Sequence, residues 1–212
     1  MTLSVTEIFF SLQGESRTVG IPTVFIRLAG CPLRCNYCDT QFAYEQGKEM
    51  AIASILEITA QFQPAYVTVT GGEPLAQDES LTLLKSLCDA GYNTSLETGG
   101  MLDVSKVDPR VVKVIDLKTP GSDECESNCY DNIEHLQSHD QVKFVICDED
   151  DYIWAKEQLN EWKLAERCEI LFSPCHGRQN ATELAEWILR DRLPVRFQLQ
   201  LHKQLWGDER AK

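Results

Sequence analysis

Positive charge is scarce in this chain: 20 Lys and Arg stand against 33 Asp and Glu, giving a formal net charge of -13. A broad nucleic-acid-binding face needs many basic side chains against phosphates, so the balance points to a small-molecule substrate and away from nucleic acid. Long apolar runs are missing too. The most apolar stretch is cut by Arg27 and Arg34, and nothing approaches the roughly 20 residues that a membrane helix demands, so no membrane segment is expected. Met1 to Glu7 has neither the charge nor the apolarity of a secretory leader. With nine cysteines in the chain, that fits a reducing, cytoplasmic location. Repeats, low-complexity tracts and Pro/Gly-rich linkers are absent as well. The 212 residues therefore read as one domain, 1–212, long enough to bury a real core.

Cys31, Cys35 and Cys38 stand at C-x3-C-x2-C spacing in one short segment, and no fourth cysteine lies nearby. Four thiolates close a tetrahedral zinc site or saturate a cubane, whereas three hold a 4Fe-4S cluster by three irons and leave one iron open to an outside ligand. The same triplet also suits a zinc site completed by a distant His or Cys, or three reduced thiols that happen to lie close. Downstream, Tyr66 to Thr70 reads as a short buried strand running into Gly71-Gly72-Glu73-Pro74. Glycines at a strand end let backbone approach a ligand. Taken alone they read better as an ordinary tight strand-to-helix turn.

Strand signals fall at Val5 to Phe10, Thr23 to Leu28, Tyr66 to Thr70, Thr94 to Glu97, Val111 to Leu117, Val142 to Cys147, Glu169 to Phe172 and Arg196 to Leu201. Amphipathic helix patterns lie between them at Met50 to Phe62, Glu79 to Ala90, Tyr152 to Trp162 and Ala181 to Arg190. Alternation of this kind implies an α/β fold with parallel pairing through right-handed crossovers. The strand count is low for a closed eight-stranded barrel, so the expectation is an incomplete, TIM-like β/α barrel with ligands at the carboxyl ends of its strands. Five segments would then share one mouth: the cysteine loop, Gly71-Gly72, Thr98-Gly99-Gly100, Asp116 to Ser122, and Ser173 to His176.

The cysteine spacing followed by a strand and Gly-Gly-Glu-Pro resembles the radical S-adenosylmethionine (SAM) superfamily. Within it, Phe10-Ser11-Leu12-Gln13-Gly14-Glu15-Ser16, Phe25 to Cys31, Cys38-Asp39-Thr40 and the tail Gln200-Leu201-His202-Lys203 with Trp206-Gly207 are similar to the 7-carboxy-7-deazaguanine synthase family. The resemblance implies conversion of 6-carboxy-5,6,7,8-tetrahydropterin to 7-carboxy-7-deazaguanine with loss of ammonia, for queuosine-type 7-deazapurine biosynthesis. An electron from the reduced cluster would cleave SAM, and the 5′-deoxyadenosyl radical would take a hydrogen from the substrate and later return it. By the same resemblance Cys31, Cys35 and Cys38 ligate the 4Fe-4S cluster and the Thr40 hydroxyl ligates Mg2+. SAM would be held by Asn36, Tyr37, Asp39, Gly72, Asp116, Leu117, Lys118, Ser173, Pro174, Cys175 and His176. Leu12, Gln13, Gly14, Glu15, Arg27, Thr70 and His202 would face the pterin, with Arg27 forking the substrate carboxylate or else pairing with Glu15 for structure alone. Taken without the resemblance, Thr40 is an ordinary loop residue. A flavodoxin-type reductant and a homodimer are implied as partners, and the family's C-terminal region raises the question whether the terminal carboxylate joins the site.

Other features read as structural. Cys125 and Cys129 could anchor a second cluster with Cys147 or Cys168, Cys88 sits on an apolar helix stripe, His135 and His139 stand i, i+4 on a helix face, and Asp148 to Asp151 complement a helix N-terminus. Two competing functions share these residues. A glycyl-radical-enzyme activase has the same cysteine spacing, but this chain has Val19-Gly20-Ile21-Pro22 where such activases tend to show a Gly-Pro-Gly-Ile-Arg run. A zinc-stabilised binding module is the other.

Overall fold

In the computed structural model, residues 1–45, 47–207 and 209–212 are described. Their nine strands form one sheet: β1 (Thr2–Leu12), β2 (Pro22–Leu28), β3 (Lys48–Ala51), β4 (Tyr66–Gly71), β5 (Asn93–Thr98), β6 (Val112–Asp116), β7 (Gln141–Ile146), β8 (Glu169–Pro174) and β9 (Arg196–Phe197). The order is β3-β1-β2-β4-β5-β6-β7-β8-β9. From β2 to β9 every pairing is parallel. β1 is antiparallel to both its neighbours, because a short loop without a helix returns the chain from β1 to β2, and only a crossover returns it parallel. Among the described residues β3 and β9 are edges that do not pair with each other, so the β/α sheet is open as expected, though with nine strands it is not for want of them.

Helices α1 (Ile52–Gln61), α2 (Ser80–Asp89), α3 (Glu149–Glu161), α4 (Leu164–Arg167) and α5 (Ala181–Asp191) lie in the crossovers, and α6 (Leu201–Trp206) follows β9. Apolar strand residues reading V-x-V or F-x-I and the helix stripes bury two clusters. One is built on Val24, Ile26, Val67, Val69, Leu83, Leu87 and Leu96, the other on Phe144, Ile146, Tyr152, Leu159, Ile170 and Phe172. Among the described residues no helix is long and apolar enough to cross a membrane.

Three expectations are corrected. The helix expected from Met50 begins at Ile52, since Lys48–Ala51 pairs with the first residues of β1 and Ala51 is held extended at φ -66°, ψ 142°. The strand expected over Arg196 to Leu201 stops at Phe197. There Gln198 exchanges two hydrogen bonds of 2.7 Å with the Ser16 backbone, and the Leu201 amide donates to Gly14 O at 2.9 Å. The tail is thereby pulled off the sheet onto the β1–β2 loop and turns into α6. His135 ends a 3-10 run, Tyr130–His135, and His139 lies beyond it, so the two share no helix face. Cys147 and Cys168, the alternative partners named for Cys125 and Cys129, lie at opposite ends of the sheet, one after β7 and one before β8.

Between β5 and β6 the chain runs without a helix, and buried Asn132 holds it. Its Oδ1 accepts from Val104 N at 3.0 Å, and its Nδ2 donates to Gly100 O at 3.0 Å and Leu102 O at 2.9 Å. Asn132→Ala leaves Val104 N and Leu102 O without this partner, while Gly100 O keeps the Cys129 amide at 3.1 Å, and is expected to cost about 2–3 kcal/mol, read as a lower urea midpoint with an unchanged slope.

Candidate active site

At the carboxyl end of the parallel strands a cavity of about 450 Å³ opens. Glycine builds its floor. Gly71 has φ +147°, and a Cβ there would lie 2.2 Å from Leu28 O. At Gly72 a Cβ would lie 2.1 Å from Gly30 O and 2.9 Å from Cys31 Cβ. Backbone bonds fix this approach, Gly72 N to Leu28 O at 3.0 Å and Glu73 N to Gly30 O at 2.7 Å. The Glu73 side chain, wholly buried, accepts from Leu75 N at 3.0 Å, Thr98 Oγ1 at 2.9 Å and Gly99 N at 2.7 Å. The ends of β2, β4 and β5 are thus tied into one rigid lip beneath the cysteine loop.

Cys31, Cys35 and Cys38 all line this cavity, and none is in a disulfide. Burial pushes the Cys31 thiol up and the Cys35 thiol to about 11, the latter against the pull of Lys118. Metal binding here must therefore expel protons. Among the described residues no three His, Cys, Asp or Glu side chains are drawn close enough to share one ion. A cubane spreads its protein ligands over separate irons, so three thiols around a common space fit it. Two buried polar atoms of cavity-lining residues have no partner among the described residues, Tyr37 Oη and Asp116 Oδ1, and Ser173 Oγ at the end of β8 has none either. Such atoms are costly unless a ligand satisfies them.

Outside the triplet, Asn36 clamps the cysteine loop to the turn after β6. Its amide donates to Ser122 O at 3.1 Å and its Nδ2 to Gly121 O at 2.9 Å and Asp123 Oδ2 at 2.7 Å. That turn is anchored by Asp151, which accepts from Thr119 Oγ1 at 2.9 Å, Gly121 N at 2.7 Å and Cys147 N at 2.9 Å. The acidic run at the start of α3 is therefore more than a dipole complement. Asp148 caps the helix by accepting from Asp151 N at 2.9 Å, and Asp151 is buried as a brace for the rim.

The opposite half of the cavity is polar and charged. Gln13 Nε2 donates to Thr68 Oγ1 at 3.2 Å and Glu97 Oε1 at 3.1 Å, and Thr70 Oγ1 donates to Glu97 Oε2 at 3.0 Å. Burial, then the neighbouring Glu15, push the Glu97 carboxyl up. Burial also lifts the Glu15 carboxyl, but Lys143 at 2.7 Å outweighs it and holds Glu15 below the usual range. Asp116 is likewise lifted by burial and brought down further by Lys118, 2.9 Å away, and Lys143. Arg27 pairs through Nε with Glu7 at 2.9 Å, not with Glu15 as the structural reading had it, and lies 5.8 Å from the ring centres of Phe9 and Phe42. His202 from α6 packs on Gly14, where a Cβ would meet its Nδ1 at 2.2 Å. Asp39 faces Lys203 at 3.5 Å and His202 at 3.9 Å.

Of the residues singled out in the sequence, the cavity gathers Leu12, Gln13, Gly14, Glu15, Arg27, Thr70 and His202. The three cysteines, Tyr37, Asp39, Thr40, Gly72, Asp116, Lys118, Cys175 and His176 line the same cavity. Asn36 is engaged behind the loop, Leu117 is buried in the second core, and Ser173 and Pro174 are buried at the end of β8. Sequence reasoning missed Lys143, Glu97 and Gln200 as cavity residues. A lysine in the apolar strand Gln141–Ile146 was the available signal, the same one that had marked Arg27.

Residues 25–116 match the family model of the radical SAM superfamily. That segment carries the three thiols and the glycine lip, and the fold with its site is that of a radical SAM enzyme. Proteins named 7-carboxy-7-deazaguanine synthase from Chlorobaculum tepidum and Koribacter versatilis are 46% and 37% identical, over 98% of this chain and 96% and 98% of theirs. The crystal structure of QueE from Escherichia coli shares the fold, with a TM-score of 0.78 at 23% identity over 94% of both chains. The chain belongs to the 7-carboxy-7-deazaguanine synthase family, and its cofactors are accordingly a 4Fe-4S cluster and SAM. These relatives carry the synthase name, which leaves the activase and zinc-module readings without support.

Proposed function

We propose that the two halves of the cavity take SAM at the cluster and 6-carboxy-5,6,7,8-tetrahydropterin opposite it, and that the chain contracts the pterin to 7-carboxy-7-deazaguanine with loss of ammonia. The observation that carries this is one cavity lined both by three thiols free of disulfides and by a charged, hydrogen-bonding set of Gln13, Glu15, Arg27 and Thr70. When bound, the cluster and SAM supply one-electron cleavage of a sulfonium and a hydrogen-atom abstractor. The protein's part is to place and shield. Cys31, Cys35 and Cys38 hold the cluster, the glycine lip lets SAM approach backbone, and the lone Asp116 Oδ1 and Tyr37 Oη offer it polar partners. Glu15 and Gln13 read the N–H and carbonyl edge of the pterin. Arg27, its Nε occupied by Glu7, keeps its terminal nitrogens for the substrate carboxylate.

Thr40, which lines the cavity with its Oγ1 3.7 Å from Cys38 Sγ, is assigned to Mg2+, a hard cation that takes few protein oxygens and fills its shell from substrate and water. For the reductant, an acidic flavodoxin-type protein is supported by two exposed guanidiniums at the cluster loop. Arg34 donates to Cys31 O at 2.6 Å and Arg178 to Asn36 Oδ1 at 2.9 Å, a local basic edge on an acidic protein. The exposed Phe10–Phe62 stack, centroids 5.9 Å apart, supports a homodimer. Nine free thiols support a reducing, cytoplasmic setting.

The test is anaerobic incubation of the reconstituted, brown protein with carboxytetrahydropterin, SAM and a reductant across a magnesium series. A deazapurine product whose rate rises with magnesium is expected. A product with no dependence on the metal removes the role of Thr40, and no product removes the reaction.

A further inference from the structure

Lys143 belongs to no motif, yet it stands where the two halves of the cavity meet. It rises from β7 in register with Asp116 on β6, and only 15% of its side chain is exposed. Its Nζ lies 2.7 Å from Glu15 Oε2 and 3.5 Å from Asp116 Oδ2. Each carboxylate has a second partner on its own side: Gln200 Nε2 on Glu15 at 2.8 Å, and Lys118 Nζ on Asp116 at 2.9 Å. Lys143 is the cation that joins them.

Resting on the proposed reading of Glu15, we propose that Lys143 is a positioning residue that keeps Glu15 an ionised, two-oxygen acceptor for the amidine-like N–H edge of the substrate. The same contact holds Asp116 by Oδ2, which leaves Oδ1 to the cofactor side. The need for a cation follows from the neighbours. Glu97 on β5, Asp116 on β6 and Asp39 on the cysteine loop bring negative charge around Glu15, while Arg27 on β2, Lys118 after β6 and His202 on α6 bring positive charge. Among the described residues Lys143 is the one of these cations that hydrogen-bonds Glu15. Without it, Glu15 and Glu97 become two buried carboxyls competing for one proton. Protonated Glu15 can no longer accept two N–H groups.

The sign of the pH effect follows. In the native enzyme Glu15 is held ionised, so KM for carboxytetrahydropterin stays level from roughly pH 6.5 to 8.5. In Lys143→Met the Glu15 carboxyl is released upward and protonates as pH falls. KM for the pterin is expected to rise about tenfold or more at the acidic end, the loss of one charge-assisted contact, and to recover toward the alkaline end. Lys143→Arg, which restores the charge, should regain most of the loss. Iron content and the visible spectrum establish that each variant carries its cluster, and Lys143→Gln takes the place of the methionine variant should that one fail to load. A KM raised equally at every pH, or a fall in kcat alone, overturns the proposal. Glu15→Gln separates the two readings: it should raise KM at all pH values, and an unchanged KM there removes Glu15 itself from the substrate, whatever Lys143 does.

Discussion

Gly72→Ala is expected to leave a folded protein that binds SAM poorly and turns over about 10²-fold more slowly or worse, the cost of displacing a reacting group by an ångström. The added Cβ would sit 2.1 Å from Gly30 O and 2.6 Å from Gly30 C. Both are backbone atoms, so no side-chain rotation relieves the clash. The strand end cannot retreat, because Gly72 N and Glu73 N are bonded to Leu28 O and Gly30 O. The remaining movement is of Gly30 and Cys31 outward, and Cys31 is one of the three thiols proposed to hold the cluster. Gly177→Ala is the control: its φ of +76° adds a backbone strain that Gly72 does not carry, but nothing lies within 4 Å of the new methyl. It should cost about 1 kcal/mol of stability and little turnover. Iron and sulfide content, together with the change in the reduced cluster's electron paramagnetic resonance on adding SAM, separate the outcomes. A Gly72→Ala enzyme with a native SAM response would show that the glycine lip does not touch the cofactor.

The cysteine loop and the glycine lip were legible because both depend on neighbours in sequence: three thiols within eight positions, and two glycines at the end of an apolar strand. The parallel sheet was legible for the same reason, since alternation of strand and helix is a local pattern. What escaped was set by register across the sheet. Lys143 reads as a stray charge in Gln141–Ile146 until β7 is laid beside β6 and Asp116 appears opposite it. Glu97 reads as the last residue of a strand, and only the approach of Gln13 and Thr70 makes it part of the cavity. β3 is four residues long with no apolar alternation, so its pairing with β1 left little trace in the sequence. At the tail the β pattern of Arg196 to Leu201 was outweighed by Gln198, whose amide bonds both ways to Ser16 and bends the chain into α6.

Asp151 shows how far a single buried acceptor can reach. Its carboxylate, 1% exposed, receives three hydrogen bonds, from the Thr119 hydroxyl and from the amides of Gly121 and Cys147. Asp151→Ala orphans the two amides, while the Thr119 hydroxyl still has Val145 O at 3.0 Å, and it opens a cavity, since Gly121 is packed so closely that a Cβ on it would lie 2.5 Å from Asp151 Oδ2. At roughly 1–3 kcal/mol for each donor, reduced by partial relaxation, a loss of about 3–5 kcal/mol is expected in chemical denaturation. The functional effect should exceed the thermodynamic one. The 119–123 turn both carries on from Lys118 and clamps Asn36 in the cysteine loop, so loosening it frees two walls of the SAM side together. Asp151→Asn keeps one acceptor oxygen but turns an amide N–H2 toward donors, and should fall between the alanine variant and the native chain in both stability and SAM affinity. If Asp151→Ala loses stability while SAM affinity, measured at a temperature where the variant is fully folded, stays native, the turn is a structural brace only and the chain of bonds from α3 to the cysteine loop carries no function.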